Sequence, residues 1–305
     1  MIDVHVEDES SRLESVVLGT AHSLGGTPTY EEAYDSRSKE SIRRGIYPHE
    51  TDLVYEMDGF LSVLQKYGVK VHRPELLLDT NQVYTRDIGF VIGDRFVFPN
   101  IISDREHEKE GIEKLVDQIP QERVVRMPAG VRAEGGDVIV WKDRIYIGYS
   151  EKEDFDEYYV SRTNREGVDF LRESFPDFKL FAFELVKSDE EPRKNALHLD
   201  CCFQPLGENL SILCEAGFKK KEDFELLVGH FGEENCIKIS ADEMYDMNSN
   251  IFSIDKNVVV SDPHFERLNQ LLENKGFTVE KVPYREICKM GGLFRCSTLP
   301  LKRRS

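Results

Sequence analysis

A chain of 305 residues, 40% of them hydrophobic, is long and apolar enough to bury a substantial core, which excludes a disordered polymer. Lysine and arginine total 40 against 57 aspartates and glutamates, a formal charge of −17, so the cationic stripe that a nucleic-acid backbone requires is missing. No apolar run approaches the roughly 20 residues of a membrane span, and the N-terminal MIDVHVEDES lacks the basic-then-apolar order of a secretory signal; the expectation is a cytoplasmic protein with neither a nucleic-acid nor a membrane partner.

In chain order, the apolar periodicity opens with a strand over 13–19, then a helix in which Met57, Phe60, Leu61 and Leu64 share one face and Gly68 ends the run, then a strand over 69–73. From there one pattern repeats: two short strands around a polar turn, an amphipathic helix and a single strand. The first full copy has strands over 88–92 and 95–98, a helix over 104–118 and a strand over 123–127. The second has 137–140, 145–148, a helix ending near Phe175 and 178–185; the third has 199–205, 210–215, a helix over 221–231 and 236–239. In the fourth, strands over 251–254 and 258–261 precede a helix carrying Phe265, Leu268, Leu271 and Leu272, which Gly276 stops, and a strand over 277–282. A C-terminal strand over 293–300 joins the N-terminal pieces as a fifth copy, its first hairpin shared between the two chain ends. Such sharing closes a ring and protects the edge strands, so the expectation is one α/β domain over 1–305 with five hairpin-helix-strand units around a pseudo-axis; an open α/β sheet is the competing arrangement. Two stretches, 22–47 and 187–196, fit no unit and read as long loops.

Polar residues recur at one point of each unit. At the start of the first strand stand Thr85-Arg86-Asp87, Glu134-Gly135-Gly136-Asp137, His198-Leu199-Asp200 and Asn248-Ser249-Asn250, with Arg295-Cys296 inside the last strand. Equivalent positions of a ring meet at its axis, which would gather a cysteine, a histidine and several carboxylates dispersed along the chain. A thiolate beside a histidine is a nucleophile with its acid/base partner. Carboxylates beside a thiol oppose its ionisation unless the substrate is a cation, and a guanidinium suits bidentate pairing with carboxylates, so the composition favours guanidine chemistry over proteolysis. Asp137 is a further substrate-binding candidate; the bland readings are an ion pair between Arg86 and Asp87, and an Asp137 that only satisfies backbone groups beside its two glycines. The other cysteines, Cys201, Cys202, Cys214, Cys236 and Cys288, form no CxxC pair and read as reduced and structural; no ligand set has a standard metal spacing, so no metal is expected.

These residues resemble the guanidino-group-modifying superfamily of arginine deiminases, dimethylarginine dimethylaminohydrolases and glycine amidinotransferases. The resemblance runs over most of the chain through the TRD ending at Asp87, the EGGD of Glu134–Asp137, the HLD of His198–Asp200, and the GG-x-x-RC-x-x-x-PL carrying Gly291, Gly292, Arg295, Cys296, Pro300 and Leu301. It implies a five-bladed α/β propeller, the pentein fold, with Cys296 as nucleophile, His198 as general acid and base, Glu134 as its carboxylate partner, and Asp87 and Asp200 gripping the guanidinium. Asn81, six residues before Asp87, stands where deiminases bind the amino-acid end of the substrate. The relatives' G-x-S-x-R-T-N is split here, Gly148-Tyr149-Ser150 being parted from Arg162-Thr163-Asn164 by the acidic residues 151–161; Arg162 is the first candidate for the substrate carboxylate and Arg105 the second. The resemblance implies a cofactor-free hydrolase of arginine or a close analogue, working through a covalent amidino-thioether and giving a ureido product such as citrulline. An amidinotransferase passing the amidino group to an amine is the alternative, and a non-catalytic guanidine-binding protein the third. A homo-oligomer is left open.

Overall fold

β-Branched and aromatic residues punctuated by left-handed turns fix the local structure of the chain. The computed structural model describes residues 1–304. It opens with strand β1 (Arg12–Leu18), helices α1 (Ser36–Arg43) and α2 (Glu50–Lys66), and β2 (Lys70–His72). The first complete unit is β3 (Phe90–Ile92), β4 (Arg95–Phe98), α3 (Glu110–Val116) and β5 (Val124–Arg126). The second is β6 (Val138–Trp141), β7 (Arg144–Tyr149), α4 (Lys152–Glu157), α5 (Arg165–Ser174) and β8 (Lys179–Glu184). The third is β9 (Phe203–Leu206), β10 (Leu210–Leu213), α6 (Lys221–Phe231) and β11 (Cys236–Lys238), followed by the short helix α7 (Ala241–Tyr245). The fourth is β12 (Phe252–Asp255), β13 (Val258–Ser261), α8 (Glu266–Asn274) and β14 (Thr278–Lys281); α9 (Arg285–Cys288) then leads to β15 (Thr298–Arg304).

These strands make five three-stranded sheets of one design, in which an antiparallel hairpin is extended by a parallel third strand. Three of the four hairpins turn on residues with positive φ, Gly93 at 57°, Lys142 at 58° and Gly207 at 57°, the backbone sense that matches strand twist. The fifth sheet has the order β15-β1-β2: the C-terminal strand pairs antiparallel with β1, Val16 opposite Pro300 and Leu18 opposite Thr298, while β1 pairs parallel with β2. The chain is therefore a five-bladed α/β propeller whose two ends share a blade. No helix is long and apolar enough to cross a membrane among the described residues.

The strand starts differ from the sequence reading in one consistent way. Residues Gly135–Asp137 and Leu199–Cys201 form 3-10 turns ahead of β6 and β9, and Arg295 and Cys296 lie in a turn ahead of β15 rather than inside it. Local i to i−3 hydrogen bonds tighten these segments: Asp137 N–H to the Glu134 carbonyl at 3.0 Å, Cys201 N–H to His198 at 3.1 Å and Thr298 N–H to Arg295 at 3.1 Å. Apolar residues lie within these turns or directly follow them, so periodicity carried the strands too far. Phe265, expected within a helix, is the N-cap of α8. The stretch 22–47 contains α1, capped by the Asp35 carboxylate on Ser38 N–H at 2.8 Å, and the acidic insertion contains α4.

The core gathers behind the turn that carries Cys296. Phe60 of α2 meets Phe252, Tyr284 and Phe294 edge-on at centroid distances of 5.8, 5.7 and 5.1 Å, and Phe294 stacks on Tyr284 at 4.3 Å. All four rings are buried. Phe294 stands two positions before Cys296, so this aromatic cluster holds the turn from beneath.

Candidate active site

The turns that precede the blades' first strands meet in one place. Cys296, His198, Asp87, Arg105, Arg162, Tyr84 and Tyr34 line one small cavity whose free volume, about 10 Å³, is barely that of one water. The residues 22–47 form its roof: Arg162 donates to the Tyr34 carbonyl, and the guanidinium carbons of Arg105 and Arg162 each stand 5.8 Å from the Tyr34 ring.

Glu134 accepts the Ile102 amide on Oε1 at 3.1 Å, which leaves Oε2 for the His198 Nε2 at 2.9 Å and the Arg162 guanidinium at 3.1 Å. Burial opposes its charge, but Arg162 and His198 outweigh that and hold the carboxyl well below its ordinary range. On the other side of the ring, His198 Nδ1 stands 3.7 Å from Asp87 Oδ1. The imidazole is buried, which disfavours its charge; the carboxylates of Asp87, Glu134 and Asp137 prevail and raise its pKa to about 8. A Cβ on Gly136 would fall 2.6 Å from His198 Nδ1, so the ring occupies space that only glycine leaves open.

Asp87 and Asp200 each hold a guanidinium of the protein itself. Asp87 Oδ2 accepts Arg105 Nη1 at 2.7 Å and its Oδ1 accepts the Gly136 amide at 3.1 Å, while Glu108 grips the other edge of Arg105 at 2.9 and 2.8 Å. Asp200 Oδ2 accepts Arg295 Nη1 at 2.8 Å and lies 3.8 Å from Cys296 Sγ. Arg295 in turn is clamped by both oxygens of Glu9, at 3.2 and 3.0 Å. Arg295 keeps the Glu9 carboxyl ionised, down to about 2, although burial pushes the other way. The Cys296 thiol is pushed far up by burial and by the Asp200 and Asp87 charges.

Two of the remaining expected residues, Asp137 and Asn81, lie outside this cavity. Asp137 spends its oxygens on the Leu199 amide at 3.0 Å and the Thr163 hydroxyl at 2.7 Å, so it braces the His198 turn and does not line the cavity. Asn81 accepts the Val83 amide at 3.2 Å and lines a neighbouring cavity of about 230 Å³ that shares Tyr34 and Asp35 with the first. Arg162, expected to meet a substrate carboxylate, is fully buried and pairs with Glu134. Sequence reasoning gave Glu9 no role and left Tyr34 inside a loop; neither has a local signal, since each acts across most of the chain. Asp87, Glu134 and His198 could offer ligand atoms within 4.8 Å of one another, but the guanidiniums of Arg105 and Arg162 already supply positive charge to the two carboxylates.

The fold has solved counterparts. StrB1, an inosamine-phosphate amidinotransferase from Streptomyces griseus, shares the fold with a TM-score of 0.75 and 16% identity over 99% of this chain and 97% of that one. The N-terminal domain of ArgZ, bound to product, an arginine dihydrolase from the ornithine-ammonia cycle in cyanobacteria, does so with a TM-score of 0.75 and 16% identity, covering 95% of this chain and 97% of that one. In sequence, the protein YkgA of Bacillus subtilis is 29% identical over 222 residues, which span 73% of this chain and 70% of that protein. The model of one family matches residues 30–303: the chain belongs to the guanidino-modifying N,N-dimethylarginine dimethylhydrolase family of eukaryotic type.

Proposed function

We propose that the protein is a cysteine-dependent hydrolase of the guanidinium group of arginine or a close analogue. The observation that carries this reading is the convergence of the Cys296 sulfur, the Glu134–His198 pair and the carboxylates of Asp87 and Asp200, the last two already holding guanidiniums of the chain. In the empty site the thiol is protonated; a cationic substrate between Asp87 and Asp200 offsets their charge, the thiol proton passes to solvent, and the thiolate adds to the guanidinium carbon. Protonated His198 gives its proton to the departing amine as the C–N bond breaks, leaving an amidino-thioether on Cys296. Neutral His198 then takes a proton from water, the hydroxide adds to the same carbon, and the C–S bond breaks to release the ureido product. Arg105 and Arg162, the cations nearest the cavity, take the substrate carboxylate once Tyr34 and its loop lift, since the closed cavity has no room for an amino acid.

The deciding experiment incubates the protein with arginine, N-methylated arginines and agmatine, with and without glycine, and assays ureido product, ammonia or alkylamine, and ornithine. Ureido product with released amine supports the hydrolase and names its substrate. Ornithine that appears only with an added amine makes the protein an amidinotransferase, and binding without any product makes it a guanidine-binding protein.

Glu134→Gln is expected to move the alkaline limb of the kcat/KM profile to lower pH. His198 keeps its catalytic proton up to about pH 8 because carboxylates surround it, and removing one of them lets its pKa fall toward the ordinary 6.5. A limb that stays in place or moves upward would contradict the assignment of His198 as the acid.

A further inference from the structure

The fourth blade contributes no reacting group, yet its turn is wired to the nucleophile. Met247, which opens the turn, has φ of 68°, a left-handed conformation that a side chain adopts only under constraint. From this turn the Ser249 hydroxyl reaches the carbonyls of Asp200 and Cys201 at 2.9 and 2.6 Å. Asn250 accepts the Cys296 amide on its side-chain Oδ1 at 3.1 Å, and its own carbonyl accepts the Arg295 amide at 3.2 Å. Asn250 is fully buried, and its Nδ2 has no hydrogen-bond partner. A carboxamide carries acceptor and donor on one carbon, so fixing the oxygen on the Cys296 amide leaves the unused N–H bonds beside the same residue. Buried donors are seldom left idle.

The surroundings of the sulfur give that donor a use. Asp200 and Asp87 face the thiol with negative charge, the Cys201 thiol and the Tyr84 and Tyr284 phenols stand near it, and His198 lies across the cavity. The adjacent cation, Arg295, is fully committed to Glu9, Asp200 and the Val138 carbonyl. We propose that Asn250 is a positioning residue for the nucleophile: its oxygen fixes the Cys296 backbone, and its free Nδ2 supplies a hydrogen bond to the sulfur as the thiol ionises. This rests on the reading of Cys296 as the nucleophile and extends it to a residue on a different blade.

The test compares the full chain with Asn250→Ala, which removes both ends of the carboxamide, and the isosteric Asn250→Asp, which keeps the acceptor and deletes the donor. Alkylation of Cys296 by iodoacetamide at mildly alkaline pH, followed on the peptide that carries it, needs no substrate. Both variants are expected to alkylate about tenfold more slowly and to lose kcat about 10- to 100-fold while KM stays within about threefold. Wild-type alkylation and kcat in Asn250→Asp would overturn the donor's role. Loss of kcat with a lowered melting temperature and unchanged alkylation would reduce Asn250 to a structural part and also overturn it. A Cys296→Ser protein that still turns over would instead defeat the reading of the nucleophile, which the alkylation result does not touch.

Discussion

Replacing Cys296 by serine is expected to lower turnover of every guanidino substrate by at least about a thousandfold, to the floor of a ureido-product assay. A serine hydroxyl is far less acidic than a thiol, and the carboxylates of Asp200 and Asp87 that already oppose a thiolate oppose an alkoxide more strongly. His198→Ala is expected to reach a similar floor, because the leaving amine then departs without a proton. The double variant should be no worse than the poorer single one, since the two groups act as a unit; additive losses would show that they serve separate steps. Cys296→Ser changes one buried atom, so its melting temperature should stay within a few degrees of the parent. Substrate binding should persist in this variant, with Asp87 and Asp200 intact, and calorimetric titration checks that directly.

Arg295→Leu should cost about 3–5 kcal/mol of stability, which for a chain of this size lowers the melting temperature by roughly 10 °C. The penalty is not the loss of an attractive pair so much as what remains: Glu9 and Asp200, both buried, lose the one guanidinium that hydrogen-bonds them, with Arg86 and Arg303 left only at longer range. The same pair predicts the pH dependence. In the parent the Glu9 carboxyl sits near 2, below its ordinary 4.5, so its contribution is complete above about pH 4.5 and is lost as pH falls toward 2. In the variant, burial drives that carboxyl upward and it takes up a proton far earlier. The stability gap between the two proteins should therefore be widest at neutral pH, begin to narrow above pH 4.5 as the variant's carboxyl takes up its proton, and go on narrowing toward pH 2, which thermal melts over that range would record. A gap that is constant with pH would mean that Arg295 acts through packing alone.

The blades were legible in the sequence because each hairpin alternates apolar residues around a polar turn and each outer helix shows one apolar face; Gly68 and Gly276 stop their helices with φ of 72° and 90°. The shared blade could be anticipated because the two ends each carried an unpaired strand. The turns ahead of β6, β9 and β15 could not, since apolar residues lie within them or directly against them (Val138, Leu199, Phe294) and tertiary contact decides where extension begins. The cluster of Cys296, His198, Glu134, Asp87 and Asp200 was readable from its repeated position in each unit. Its wiring was not: Glu9 meets Arg295 across 286 positions, and Arg162 turns toward Glu134 because Tyr34, from a stretch that fits no blade, covers it. The segments that escaped sequence reading are those whose conformation depends on a partner far along the chain.

The shared blade also sets an order of assembly. β15 begins two residues after Cys296 and is held by β1 from the opposite end of the chain. A ribosome releases the Cys296 sulfur and its clasp after the imidazole and every acid of the pocket have emerged, so the growing polypeptide carries its whole set of cation-gripping acids before it carries that thiol. Catalytic competence and closure of the circle then arrive together, and the appearance of activity during refolding would time the seating of that final strand.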